Sequence, residues 1–193
     1  MKIKRTKYWI KFIDDKKINK IEKRNRGLVY VFTGDGEGKT TAALGLGLRA
    51  LGHGKTVVLV QFIKCRKFVG EYQVQTMLKN YEVYQFGKEE FVNLKNPDDE
   101  DRRLANEGLN FVREKIKEMP DILILDEINV LMSLGLVKVN DVLNIINSIP
   151  KNMILILTGS DVPKAIIKIA DIVSEIKNIK HIFDYGIFGK KEL

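Results

Sequence analysis

The 193-residue chain has one cysteine, two histidines, one tryptophan and four prolines. A lone thiol, Cys65, excludes an internal disulfide framework and fits a reducing cytosol. One thiol and two histidines are also too few for a structural zinc site. No apolar run reaches the roughly 18 residues that cross a bilayer, so no membrane is expected as a partner. The N-terminus lacks the unbroken apolar stretch of a secretory signal. With 30% charged residues and few prolines, the chain is neither collagen-like nor disordered in composition. What it does have is apolar content, 45%, enough for a domain of this size to bury about 70% of its unfolded surface.

The formal net charge is +8, but it is not spread evenly. Residues 1–26 carry 11 of the 33 Lys/Arg and 3 of the 25 Asp/Glu, so residues 27–193 hold 22 of each sign. The excess belongs to a basic N-terminal arm, 1–26, ahead of a neutral domain, 27–193. Such an arm suits nucleic acid, an acidic surface or a polyanionic ligand, or simply solubilises. Trp9/Ile13 and Tyr8/Phe12 are spaced i,i+4, which fits an amphipathic lid helix.

Beyond Gly27, short apolar runs alternate with helical patterns. Strands are expected at Leu28–Thr33, Thr56–Phe62, Tyr81–Phe86, Ile122–Leu125, Met153–Thr158, Ile172–Ile176 and His181–Ile187. Helices are expected at Lys39–Leu51, Gly70–Lys79, Asp98–Glu118, Lys138–Ile149 and Val162–Ala170. Continuous apolar strands separated by helices predict an α/β fold: a three-layer, mostly parallel sheet with helices on both faces. Ligands of such sheets bind at the carboxyl ends of the strands.

The first of those ends reads Thr33-Gly34-Asp35-Gly36-Glu37-Gly38-Lys39-Thr40-Thr41. Gly38-Lys39-Thr40 completes a phosphate-loop pattern, although the first glycine stands at 34 and position 33 is Thr. Residues without Cβ let backbone N–H groups curl around a triphosphate, and the following helix adds its positive dipole end. Lys39 supplies a cation for the terminal phosphates, and the Thr40 hydroxyl suits Mg²⁺. The run Ile122–Leu125 then delivers Asp126 and Glu127, either of which could hold the metal. These residues predict binding of a nucleoside triphosphate with Mg²⁺.

The loop and its flanks resemble one family. GLVYVFTGDGEGKTTAA (27–43) is followed by RALGHGK (49–55), VQFIK (60–64), Leu125-Asp126-Glu127, Leu157-Thr158-Gly159, ADIVSE (170–175) and IKHIFDYG (179–186). Together they resemble the phosphate-loop class of ATP:cob(I)alamin (corrinoid) adenosyltransferases over about residues 27–190. Two positions depart from that pattern. Ser160 stands where members often carry Arg, which leaves one phosphate contact missing or supplied by Lys164. Phe91-Val92-Asn93 replaces a Phe-Thr-Trp segment.

The resemblance implies a RecA-like phosphate-loop NTPase fold and transfer of the 5′-deoxyadenosyl group of ATP to Co(I), with triphosphate released. It implies Lys39, Thr40 and Glu127 as catalytic residues, with Thr40, Glu127 and Asp126 as metal ligands. ATP would be held by Gly34, Asp35, Gly36, Glu37, Gly38, Lys39, Thr40, Thr41 and Arg49. The corrinoid would meet Phe91, Phe62, His181 and Asp184, with Phe91 displacing the lower axial ligand. A homodimer and a flavoprotein reductase are the implied partners. Two other readings compete: an NTPase or small-molecule kinase, and an ATP-dependent nucleic-acid-binding module using the basic arm.

Overall fold

The computed structural model describes residues 25–63, 65–88 and 97–181. Its strands are β1 (Leu28–Thr33), β2 (Val57–Phe62), β3 (Tyr81–Phe86), β4 (Ile122–Asp126), β5 (Ile154–Thr158) and β6 (Ile172–Glu175). All neighbouring pairs are parallel, in the order β3-β2-β4-β5-β1-β6. The helices are α1 (Lys39–Leu51), α2 (Gly70–Gln73, continued by a 3₁₀ turn at Val74–Thr76), α3 (Asp99–Lys117), α4 (Ile128–Ser133), α5 (Val139–Ser148) and α6 (Lys164–Ile169).

Strand periodicity divides the core into two layers. Val57, Leu59, Val83, Ile122, Ile124 and Ile156 share the face covered by α1, where Ala43 packs. A Cβ at Gly47 of α1 would lie 3.2 Å from Val57 Cγ1, so the helix rests close on the sheet. Val29, Val31, Val58, Val60, Leu123, Leu125, Leu155 and Leu157 point to the opposite face. There Ala105, Leu109, Val112 and Ile116 of α3 form an i, i+4, i+7, i+11 stripe, joined by Ile145 and Ile146 of α5. Burying each of the larger side chains contributes about 1.5–3 kcal/mol. The central strands β2, β4 and β5 are therefore apolar on both sides, as a covered parallel sheet requires.

Local signals set the ends. Asp98 caps α3 through a reciprocal box with Asp101: each side chain accepts the other's backbone N–H at 3.0 Å. The helix expected over Gly70–Lys79 is broken instead. After α2 the chain tightens into the 3₁₀ turn, and the Thr76 hydroxyl turns back to the Gln73 carbonyl at 3.0 Å. The helices expected from Lys138 and Val162 begin one and two residues later, Pro163 taking the N-cap position of α6. The α4 turn was not expected, because six residues buried nearly all round give no amphipathic period. The arm up to residue 24 and the last expected strand after His181 lie outside the described residues.

Candidate functional site

β1, which leads into the glycine loop, and β4, which ends in Asp126, are separated by β5. The connection from β1 crosses one face of the sheet through α1, and that from β5 crosses the other through α6. A crevice opens at their carboxyl ends, as the topology of open α/β sheets dictates. It is a cleft of about 1220 Å³, whose walls include Gly34, Lys39, Arg66, Glu127, Ser160 and Lys177.

The loop is held from behind. Gly34 has φ 102°, and a Cβ there would lie 2.2 Å from the Ile176 carbonyl oxygen. A Cβ on Gly36 would meet the Lys177 carbonyl carbon at 2.7 Å. Only glycine fits at either place, because the chain leaving β6 runs directly against the loop. Gly36 N–H donates to the Ile176 carbonyl at 2.9 Å, and Asn178 Nδ2 donates to the Asp35 carbonyl at 3.3 Å. His181 Nε2 lies 2.8 Å from Glu37 Oε1. The first glycine thus falls at 34 because Thr33 is still in β1, paired with Glu175 of β6.

At the start of α1, Lys39 Nζ donates to the Gly36 carbonyl at 2.6 Å, its ammonium curled over the loop. The Thr40 hydroxyl donates to Asp126 Oδ1 at 2.7 Å, and the Thr158 hydroxyl donates to the same oxygen at 2.6 Å. Thr158 also accepts from the Glu127 N–H at 3.0 Å. Asp126 Oδ2 accepts from Gln61 Nε2 at 3.3 Å, and Gln61 Nε2 donates as well to Glu71 Oε1 at 3.0 Å. Asp126, Thr158 and Gln61 are all fully buried. Alternation brings them to the face beneath α1, one step beyond Ile124, Ile156 and Leu59. The negative charge collected here reaches Tyr81: burial, with Glu71 and Asp126 adding to it, holds the Tyr81 phenol well above its ordinary pKa.

Backbone strain gathers at the same edge. Five described residues other than glycine have positive φ, and three of them, Ile63, Glu127 and Asp161, line the cleft. Glu127, at φ 65°, caps α4 directly after Asp126, so the two acids diverge. Asp126 stays under α1 while Glu127 lines the cleft. A left-handed residue costs about 1–3 kcal/mol, which persists only where its surroundings enforce it.

Not every residue expected at the site is there. Phe62 is 0% exposed, and a Cβ on Gly108 of α3 would come within 2.5 Å of its ring. Strand alternation turns Phe62 into the core below α3 and turns Gln61 towards the site, so Phe62 offers no corrinoid surface. Arg49 is exposed in the last turn of α1. Ten residues of helix carry it about 15 Å from Lys39, so it does not reach the loop of its own chain. Thr41 is exposed beside Thr40. Lys164, the first residue of α6, does not line the cleft. Phe91 and Asp184 lie outside the described residues, whereas His181 and Glu37 come together beside the loop. Sequence reasoning passed over Gln61, Thr158, Arg66 and Asn178. The family-like runs around Gln61 and Thr158 pointed to the first two, and only the fold reveals the others.

Taken together, the fold and the site define a phosphate-loop protein built to bind a nucleoside triphosphate at the carboxyl edge of a parallel sheet. More narrowly, the chain belongs to the ATP:corrinoid adenosyltransferase family BtuR/CobO/CobP, whose family model matches residues 25–192. It is 34% identical over 164 residues to a corrinoid adenosyltransferase of Escherichia coli K12, covering 84% of this chain and 82% of that one. The corrinoid adenosyltransferase CobA of Salmonella typhimurium LT2 gives the same identity and coverage. A corrinoid adenosyltransferase of Pseudomonas aeruginosa PAO1 is 32% identical over 169 residues, covering 86% of this chain and 82% of that one.

Proposed function

We propose that this chain transfers the 5′-deoxyadenosyl group of ATP to the Co(I) centre of a corrinoid. The C5′–O bond breaks, a cobalt–carbon bond forms from the cobalt electron pair, and intact triphosphate leaves. Membership of the family over residues 25–192 carries this reading, and Lys39 Nζ resting on the Gly36 carbonyl at the mouth of the glycine cradle supports its phosphate end. That ammonium neutralises a lone pair of the loop itself, and a phosphate oxygen is a better acceptor for it. Lys39 moves from Gly36 to the polyphosphate, and the loop N–H groups and the start of α1 complete the anion site.

Negative charge grows on the oxygen that leaves C5′. Preorganised donors at such a position are worth about 3–4 kcal/mol each in other enzymes. The corrinoid brings its own nucleophile, so no Ser, Cys or general base has to be activated.

The residues present fit Mg²⁺. The Thr40 hydroxyl donates a hydrogen bond to Asp126, which leaves its oxygen lone pairs for a cation, and Glu127 adds a carboxylate at the cleft wall. Thr40 and Glu127 would hold the cation, which supplies charge neutralisation for the triphosphate, and Asp126 orients Thr40. Among the described residues, no three His, Cys, Asp or Glu side chains form a cage for a metal. Oxygens of the nucleotide would therefore complete the shell.

The apolar wall of the cleft (Ile63, Val130, Val162, Ile167 and Val173) suits the bulk of an organic substrate beside the phosphates. A homodimer, a flavoprotein that reduces the corrinoid and a cytoplasmic location complete the proposal. No helix among the described residues is long and apolar enough to cross a membrane.

The test is anaerobic incubation with ATP, Mg²⁺ and chemically reduced cobalamin, followed by its visible spectrum. A light-sensitive cobalt–carbon species supports the reading. ATP consumption without an alkylated corrinoid overturns it.

A further inference from the structure

We propose that Arg66 is a further phosphate-binding residue of this cleft, held in place by an amide ladder, Gln85 and Gln61, that fixes its loop to Asp126. The inference rests on the reading above that the cleft takes the triphosphate end of the nucleotide.

The ladder follows from strand register. Gln85 of β3 stands opposite Gln61 of β2, and Gln61 stands opposite Asp126 of β4. Three polar residues therefore lie in one row across three adjacent strands. Asp126 Oδ2 accepts from Gln61 Nε2 at 3.3 Å, and Gln61 Oε1 accepts from Gln85 Nε2 at 2.9 Å. Gln85 Nε2 also donates to the Arg66 carbonyl at 3.2 Å. The amides occupy positions where the same strands otherwise carry Val57, Leu59, Tyr81 and Val83. Each link donates to the next, which offsets much of the cost of burying these amides, while Gln85 Oε1 is left without a hydrogen-bond partner among the described residues.

The loop they hold leaves the sheet under constraint. Ile63 has φ 66°, a conformation that β-branched residues rarely adopt. Its N–H donates to the Phe86 carbonyl at 3.0 Å. The Val69 N–H closes on the same Arg66 carbonyl at 3.3 Å. The backbone of Arg66 is thereby set by two hydrogen bonds, and the residue lines the cleft with Lys39, Gly34 and Glu127.

Charge gives that side chain its task. Among the described residues the cleft is lined by three cations, Lys39, Arg66 and Lys177. Lys177 is largely exposed and lies 3.1 Å from Glu175. Lys39 is a point charge, whereas a guanidinium presents a planar fork to two phosphate oxygens at once. Asp126 positions Thr40 on one side of the cleft and, through the amides, Arg66 on the other. One carboxylate thus sets the spacing between the Thr40 hydroxyl, proposed for Mg²⁺, and the phosphate contact of Arg66.

Isothermal titration of the full chain with inorganic tripolyphosphate and Mg²⁺ tests this, with adenosine as a neutral control and melting temperature as a check on folding. Arg66→Ala is expected to weaken tripolyphosphate about 10- to 100-fold, the range for losing hydrogen bonds to a charged group. Adenosine binding should not change, and Arg66→Lys should recover part of the loss. Gln85→Met keeps the volume and removes the ladder. It should weaken tripolyphosphate about threefold to tenfold, and the double variant should bind no more weakly than Arg66→Ala alone, because Gln85 acts through Arg66. Affinity of Arg66→Ala within twofold of wild type overturns the assignment of Arg66. Losses that multiply in the double variant overturn the ladder. If Lys39→Ala loses tripolyphosphate while Arg66→Ala keeps it, this inference alone falls. If wild type binds none, the reading of the cleft falls with it.

Discussion

The two ends of the sheet are built from the same apolar strands but satisfy their polar groups differently. At the amino end, Asp121 accepts from Lys55 Nζ at 2.8 Å and from the Thr56 N–H at 2.9 Å. Asp171 accepts from Arg26 at 2.8 Å and from the Val29 N–H at 2.9 Å, with side chains only 15% and 6% exposed for Arg26 and Asp171. These acids pair with cations and strand termini and join segments. At the carboxyl end, Asp126 is buried deeper, and its hydrogen-bond partners include the hydroxyls of Thr40 and Thr158 and the amide of Gln61. Those bonds orient its carboxylate, and three left-handed residues line the neighbouring cleft. One end spends its polar groups on stability, and the other keeps them for a ligand.

Substitutions at the two ends should therefore separate function from stability. The largest expected effect is at the loop: Lys39→Ala should slow adenosyl transfer by about 10³-fold, the upper range for one preorganised donor. Its melting temperature should stay within a few degrees of wild type, and steady-state assays with thermal melts check both. Asp126→Ala should break the contrast, because it strands the Thr40 and Thr158 hydroxyls. It should weaken Mg²⁺-ATP about 100-fold and also lower stability by about 1–3 kcal/mol, measured by titration calorimetry and urea denaturation.

Asp171→Ala should behave oppositely. Leaving Arg26 without its carboxylate costs about 3 kcal/mol in urea denaturation, while the turnover rate stays unchanged. The smallest effect belongs to Asp121. The hydrogen bond from Lys55, then the Thr56 N–H, holds its carboxyl below the ordinary carboxylate range. Its folded pKa lies under the unfolded value of about 3.9, so its contribution is complete above that pH and is lost as the pH falls through the folded value. Asp121→Asn should cost about 1 kcal/mol near neutrality and flatten the fall in stability below pH 4, measured as urea midpoints across pH.

The two ends were also unequally legible in the sequence. Apolar runs located the six described strands, and they are continuous in the central β2, β4 and β5, because a covered parallel strand has to be apolar on both faces. The glycine loop and Asp126 could be read because their spacing is local. Gln61 could not be separated from Phe62, since choosing between them requires knowing which face of β2 lies beneath α1. Arg49 looked available because a helical segment adjoining the loop gives no hint of how far its last turn lies from the first. Arg66, Lys177 and Asn178 reach the cleft only through the order of strands and the path of the chain after β6, which no linear pattern encodes. A deletion that tests the basic arm should stop at residue 24, because Arg26 anchors the foot of β1.

The central claim is that the carboxyl end grips a triphosphate that departs whole. Phosphorus NMR of the products formed from ATP and reduced cobalamin tests it most directly. Tripolyphosphate accumulating in step with alkylated corrinoid is the predicted result; ADP with inorganic phosphate would contradict it.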